Sequence, residues 1–204
     1  MWRKIKELRG NGGSTKLDGE QVSTLERKTE FSAEEIRKSH RRFVGKHPDG
    51  KITAIDLKKI YEQLCPSGGD ASQFADFVFK TYDSNGDGFV DFQEFITALS
   101  LTKRGSLMKR LYWIFNIYDV DNNGYITRGE YLQVLKSICK MGPCIPGVGR
   151  MSPQKRVDQI FKQMDRNKDG YLSLNEFVEG VRRNPELEVL LNNMGEVNAH
   201  IHRF

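Results

Sequence analysis

DSNGDGFVDFQE, residues 83–94, is the stretch on which the reading of this chain turns. Short oxygen-bearing side chains alternate at Asp83, Asn85 and Asp87, Gly88 follows, and Glu94 stands six residues after the glycine. The spacing is that of a twelve-residue loop wrapped around a hard cation. A calcium ion takes six to eight oxygens at about 2.3–2.6 Å. Asp83, Asn85 and Asp87 would supply side-chain oxygens at positions 1, 3 and 5. Gly88 at position 6 makes the sharp turn, and Phe89 at position 7 offers its backbone carbonyl. Asp91 at position 9 contributes directly or through a water, and Glu94 at position 12 closes the shell with two oxygens.

Moving outward along the chain, the same pattern recurs twice. DVDNNGYITRGE places Asp119, Asp121, Asn123, Tyr125, Thr127 and Glu130 at the ligand positions. DRNKDGYLSLNE does so with Asp165, Asn167, Asp169, Tyr171, Ser173 and Glu176. Three matches, each flanked by apolar residues at helical spacing, rule out coincidence. Upstream, VGKHPDGKITAID (44–56) has the outline of a fourth loop. With Gly50 at position 6 and Ile52 at position 8, position 1 is Gly45, position 3 His47, position 4 Pro48, position 5 Asp49 and position 12 Asp56. Two side-chain oxygens are missing, and Asp56 is one methylene shorter than Glu. This loop is expected to bind no ion and to serve as pairing partner for 83–94 through a short β-bridge at position 8.

The flanks predict helices. Ser32 with Glu35 forms a capping box, and Phe31 with Ile36 a hydrophobic staple. Asp70 with Gln73 predicts a second capping box, and Ser152 before Pro153 a helix start. The turn glycines at 50, 88, 124 and 170 group the loops into two pairs. KMGPCIPGVGRMS (140–152), rich in Gly and Pro, predicts a mobile loop inside the second pair. The expected fold is all-α: four EF-hands in two paired lobes with short β-bridges between paired loops. The expected divisions are a basic segment 1–22, an N-terminal lobe 23–101, a C-terminal lobe 102–183, and a helix and tail 184–204.

Composition bounds the rest. The chain has 204 residues, 38% of them hydrophobic, enough for a core. No apolar run approaches the roughly 18 residues of a membrane span, and MWRKIKELRG lacks the apolar stretch of a secretory signal. Cys65, Cys139 and Cys144 read as free thiols in a reducing cytosol. Residues 1–47 carry 12 Lys/Arg and 7 Asp/Glu, and the rest carry 20 of each, so the whole net charge of +5 sits in the first quarter. That asymmetry points to an acidic partner. No nucleic-acid motif accompanies it, so no nucleic-acid partner is expected. No nucleophile–base constellation marks an enzyme.

KLDGEQVSTLERKTEFSAEEI (16–36), the Pro-containing first loop, GDASQFADFVFKTYD (69–83), DFQEFITALSLTKRG (91–105) and KRLYWIFNIYDVDNNGYIT (109–127) resemble the neuronal calcium sensor family, the recoverin, frequenin and visinin-like proteins. The resemblance covers roughly residues 16–190. In that family a Cys-Pro pair disables the first loop; His47-Pro48 stands here. The resemblance implies a hydrophobic groove in the N-terminal lobe that takes a target helix, with kinases, channels and cyclases as target classes, and attachment to membranes. Groove candidates are Phe31, Phe43, Ile60, Tyr61, Phe74, Phe77, Phe92 and Leu99. The family usually begins Met-Gly and is myristoylated; residue 2 here is Trp2, so that modification is not expected. Trp2, Ile5 and Leu8, interleaved with Arg3, Lys4, Lys6 and Arg9, form either a basic amphipathic anchor for an anionic membrane surface or a solvated tail. The expected function is a cytosolic calcium sensor with three Ca²⁺ sites; a calcium buffer that opens little is the alternative. Loop 83–94, with four ligand carboxylates against three in each of the others, is also the candidate for Mg²⁺.

Overall fold

A computed structural model of the chain describes residues 16–63, 68–141 and 152–184. Its elements in order are α1 (Gly19–Lys28), α2 (Ala33–Lys46), β1 (Lys51–Ile52), α3 (Ala54–Gln63), α4 (Ser72–Tyr82), β2 (Val90–Asp91), α5 (Phe92–Lys103), α6 (Leu107–Tyr118), β3 (Tyr125–Thr127), α7 (Arg128–Lys140), α8 (Pro153–Met164), β4 (Tyr171–Ser173) and α9 (Leu174–Arg183). The strands form two antiparallel pairs, β1 with β2 and β3 with β4. Ile52 faces Val90 and Ile126 faces Leu172, so the position-8 residues pair as their place in the loops predicts. All four are buried, and each bridge ties two loops through an apolar plug.

Local chemistry starts the helices. The Ser32 hydroxyl accepts from the Glu35 N–H (3.4 Å), and Glu35 Oε2 accepts from the Ser32 N–H (3.0 Å). Asp18 and Gln21 do the same for α1 at 2.7 and 3.0 Å. That helix spans residue 22, and Val22 and Leu25 are buried on it. Pro153 opens α8 behind Ser152, as expected.

The capping box predicted for Asp70 and Gln73 is absent. Asp70 Oδ1 accepts from the Ser72 N–H (3.0 Å), a tighter turn that leaves Ala71 as N-cap. The Asp70 N–H goes to the Lys140 carbonyl (2.9 Å), and Gln73 Oε1 accepts from Lys140 Nζ (3.4 Å). Both residues thus hold α4 to the end of α7 rather than cap a helix. Loop 140–152 falls largely outside the described residues, as do Cys65, Cys144, residues 1–9 and the helix and tail expected at 184–204, beyond Asn184.

One contiguous core runs through both lobes. Phe43 sits 5.3–5.5 Å from Phe92 and Phe95 in the first, and Tyr118 stacks on Tyr131 at 4.3 Å in the second. α4 packs on α6 and α7, and α5 on α6, which joins the lobes. Of the eight groove candidates, seven are buried and Ile60 is half-buried. In this conformation they are core, not an exposed groove. Among the described residues no helix is long and apolar enough to cross a membrane.

Candidate metal centres

Each of the three full loops is built by the same local hydrogen bonds. The position-1 carboxylate accepts from the glycine N–H at position 6: Asp83 from Gly88 (3.0 Å), Asp119 from Gly124 (2.9 Å), Asp165 from Gly170 (3.0 Å). Asn85, Asp87, Asp121, Asn123, Asn167 and Asp169 each accept from a backbone N–H two residues on, at 2.7–3.1 Å. These short-range turns hold the odd-numbered side chains toward the inside of the loop. Positions 4 and 6 take the left-handed conformation. At position 4 stand Gly86 (φ 72°), Asn122 (φ 58°) and Lys168 (φ 60°), and at position 6 Gly88, Gly124 and Gly170.

Positions 9 and 12 do double duty. Asp91, Thr127 and Ser173 are the N-caps of α5, α7 and α9, and Glu94, Glu130 and Glu176 complete three capping boxes. In each Glu, Oε2 accepts from the N-cap N–H at 2.8–3.1 Å. The other oxygen reaches back across the loop: Glu94 to the Ser84 N–H (2.9 Å), Glu130 to the Val120 N–H (3.0 Å), Glu176 to the Arg166 N–H (3.1 Å). The helix start therefore sets where the closing carboxylate stands. The signal was legible as D-x-x-E, T-x-x-E and S-x-x-E inside the loops.

The electrostatics suit a cation. Burial pushes the Asp91 and Glu94 carboxyls above their ordinary range. Burial also raises Asp119, with Glu130 and Asp121 adding repulsion. Oxygens of Asp119, Asp121 and Glu130 lie within 4.8 Å of one another. Asp165 Oδ1 is buried without a hydrogen-bond partner among the described residues, an acceptor left open. Hard oxygens crowded at one focus fit calcium or magnesium and not a soft metal. Around Glu176, burial raises the carboxyl, but hydrogen bonds from Ser173, Arg166 and Asn167 outweigh it and leave it low.

The first loop differs in backbone as well as in side chains. Asp56 Oδ2 accepts from the Thr53 N–H (3.0 Å) and hydroxyl (2.7 Å), a cap, and among the described residues it takes no backbone N–H across the loop. Pro48 occupies position 4, where the other three loops have φ near +60–70°. The pyrrolidine ring locks φ near −65° and excludes that turn. Burial holds the His47 imidazole below its ordinary range. Side-chain oxygens are missing at Gly45 and His47, and Pro48 denies the loop the curvature of the other three.

Two features had no signal in the sequence. A cavity of about 640 Å³ lies between the lobes, lined by Phe77, Leu101, Tyr112, Trp113 and Asn116 and edged by the loops at 83 and 119. At the joint between α5 and α6, Arg104 donates to both carboxylate oxygens of Glu35 (2.6 and 3.1 Å) and to the Glu30 carbonyl (2.8 Å), over the Phe31 ring (4.4 Å). Lys109 pairs with Glu30 (2.9 Å).

Residues 108–182 match a family model described as an EF-hand domain pair, and residues 74–102 one described as an EF hand domain. The chain is 44% identical over 177 residues to Neuronal calcium sensor 1 of Lymnaea stagnalis, covering 85% of this chain and 92% of that protein.

Proposed function

The chain belongs to the neuronal calcium sensor family of EF-hand proteins, and from that premise we propose that it is a cytosolic sensor that binds three calcium ions, at 83–94, 119–130 and 165–176. The observation that carries the count is the shared construction of three loops against the fourth. In three, the position-1 carboxylate accepts from the position-6 glycine N–H and the position-12 glutamate spans the loop from the helix cap, while Gly45, His47 and Pro48 break the fourth. Affinities on the order of 10⁻⁷ to 10⁻⁵ M suit a sensor. Loop 83–94, with its fourth carboxylate at Asp91, is the site we assign to magnesium at resting calcium. Magnesium alone should then shift the Gly88 amide more than Gly124 or Gly170 in NMR spectra.

The response to calcium is an opening of the N-terminal lobe. Phe74 and Phe77 on the helix entering loop 83–94, and Phe92 and Leu99 on the helix leaving it, are buried. A change of angle between α4 and α5 would expose them as a groove for an apolar target helix, of the kinase, channel or cyclase class. A buffer would bind the same ions without opening. Calorimetry of the intact chain should count three ions. Glu94→Gln, Glu130→Gln and Glu176→Gln should each count two, because Gln retains an oxygen for the helix cap and loses the charge. Four ions in the intact chain would overturn the assignment. Calcium-dependent retention on a phenyl column separates sensor from buffer: no gain in retention means a buffer.

A further inference from the structure

We propose that the outer face of α2 is a calcium-independent docking surface for an anionic phospholipid bilayer. α2 buries Ile36 and Phe43. On the opposite side it exposes Arg37, Lys38, Arg41, Arg42 and Lys46. At about 100° per residue these five cations fill roughly half the helix circumference, centred opposite the buried side, along about 13 Å of axis. The helix carries two acids, both in its first turn, and one of them, Glu35, is taken by Arg104. Arg37, Lys38, Arg41 and Arg42 form no ion pair among the described residues. Most solvated helices interleave acids at i+3 or i+4 with such bases; beyond its first turn this face does not.

The form of the patch selects the partner. Protein interfaces anchor on apolar or aromatic side chains seated in pockets. The large exposed hydrophobics among the described residues are Ile55, Phe89, Met108, Tyr125 and Tyr171, and none is on α2. A single-stranded nucleic acid would want stacking aromatics among the cations, which are also missing from the exposed face. A row of flexible cations, three of them arginines that fork onto phosphate oxygens, matches a plane of headgroups. None of the five cations belongs to residues 1–9 or to the three ion loops, so the face acts whether or not either of those does.

The test is co-sedimentation of the full chain in EDTA with phosphatidylcholine vesicles, with and without phosphatidylserine. The chain should sediment only with the anionic vesicles, and less as salt rises. R41Q with R42Q should lower the partition coefficient about thirtyfold, at about 1 kcal/mol for each cation near the surface and 1.4 kcal/mol per factor of ten. K155Q with K162Q removes the same charge from exposed positions on α8 and should leave partitioning unchanged. The R41Q/R42Q ratio should persist after removal of residues 1–9. Equal effects of the two double variants, or a ratio that vanishes on that truncation, would overturn the proposal. So would a chain that ignores the vesicles yet binds polyglutamate or RNA through Arg41 and Arg42.

Discussion

Pro48 separates two explanations for the first loop's proposed failure to bind an ion: missing ligands and a forbidden turn. Gly45→Asp, His47→Asp and Asp56→Glu restore oxygens at positions 1, 3 and 12 but leave φ at position 4 near −65°. The three full loops hold that residue at φ 58–72°. The triple variant is therefore expected to bind three ions still. Adding Pro48→Gly should bring a fourth, weaker site, read by calorimetry. A fourth ion in the triple variant alone would show that ligands, not curvature, disable the loop. The same reasoning explains Lys168 and Asn122. Each pays about 1 kcal/mol or so to stand in the left-handed region, held there by the turn bonds on either side.

Among the elements, the contact between the α1–α2 turn and the α5–α6 joint sets a pH dependence. Hydrogen bonding to Arg104, then to Ser32, holds the Glu35 carboxyl at about 2 against an ordinary 4.5. A depressed pKa stabilises the fold above the unfolded value and loses that contribution as pH falls through the folded one. The window is thus from about 4.5 down to about 2. Glu35→Gln should flatten the acid limb of Tm against pH in that window, Arg104→Gln should flatten it in part because Ser32 still binds the carboxylate, and the double variant should do no more than Glu35→Gln alone. Additive effects would mean the two residues act through other partners. Glycines test packing at the same scale. A Cβ at Gly69 would stand 2.1 Å from the Met141 carbonyl oxygen, where α4 meets the end of α7. Gly69→Ala should cost about 1–3 kcal/mol by forcing those segments apart. Gly45, helical and with nothing within 4 Å of its Cβ position, should gain about 0.5–1 kcal/mol as Ala. Urea unfolding reads both.

At the scale of the molecule, the proposed opening must disturb a core continuous through both lobes. Burying one Phe contributes about 1.5–3 kcal/mol, so exposing several demands differential calcium affinity of the same order. The helices that carry Phe74, Phe77, Phe92 and Leu99 flank loop 83–94. Calcium should therefore raise the fluorescence of a hydrophobic dye such as ANS in the intact chain. Glu94→Gln should remove most of that rise, and Glu176→Gln less. Equal loss in both variants would place the exposed surface outside the N-terminal lobe, with the cavity between the lobes as its site.

The loops and their pairing were legible in the residues because their geometry is local. Twelve consecutive positions decide which oxygens face inward, a glycine decides the turn, and the position-8 residue decides the bridge register. Caps at Ser32 and Ser152 are local in the same sense. Asp70 was misread because a competing bond to the Lys140 backbone, 70 residues on, captured its strand of chain. The pairing of Arg104 with Glu35, 69 residues apart, has no sequence pattern at all. Nor does the cavity between the lobes. An apolar stripe on a helix says which face avoids water; it does not say whether another helix, a target or nothing covers it. Only the packed structure decided that Phe74, Phe77, Phe92 and Leu99 are core, because burial is a property of the neighbours that arrive and not of the residue that is buried.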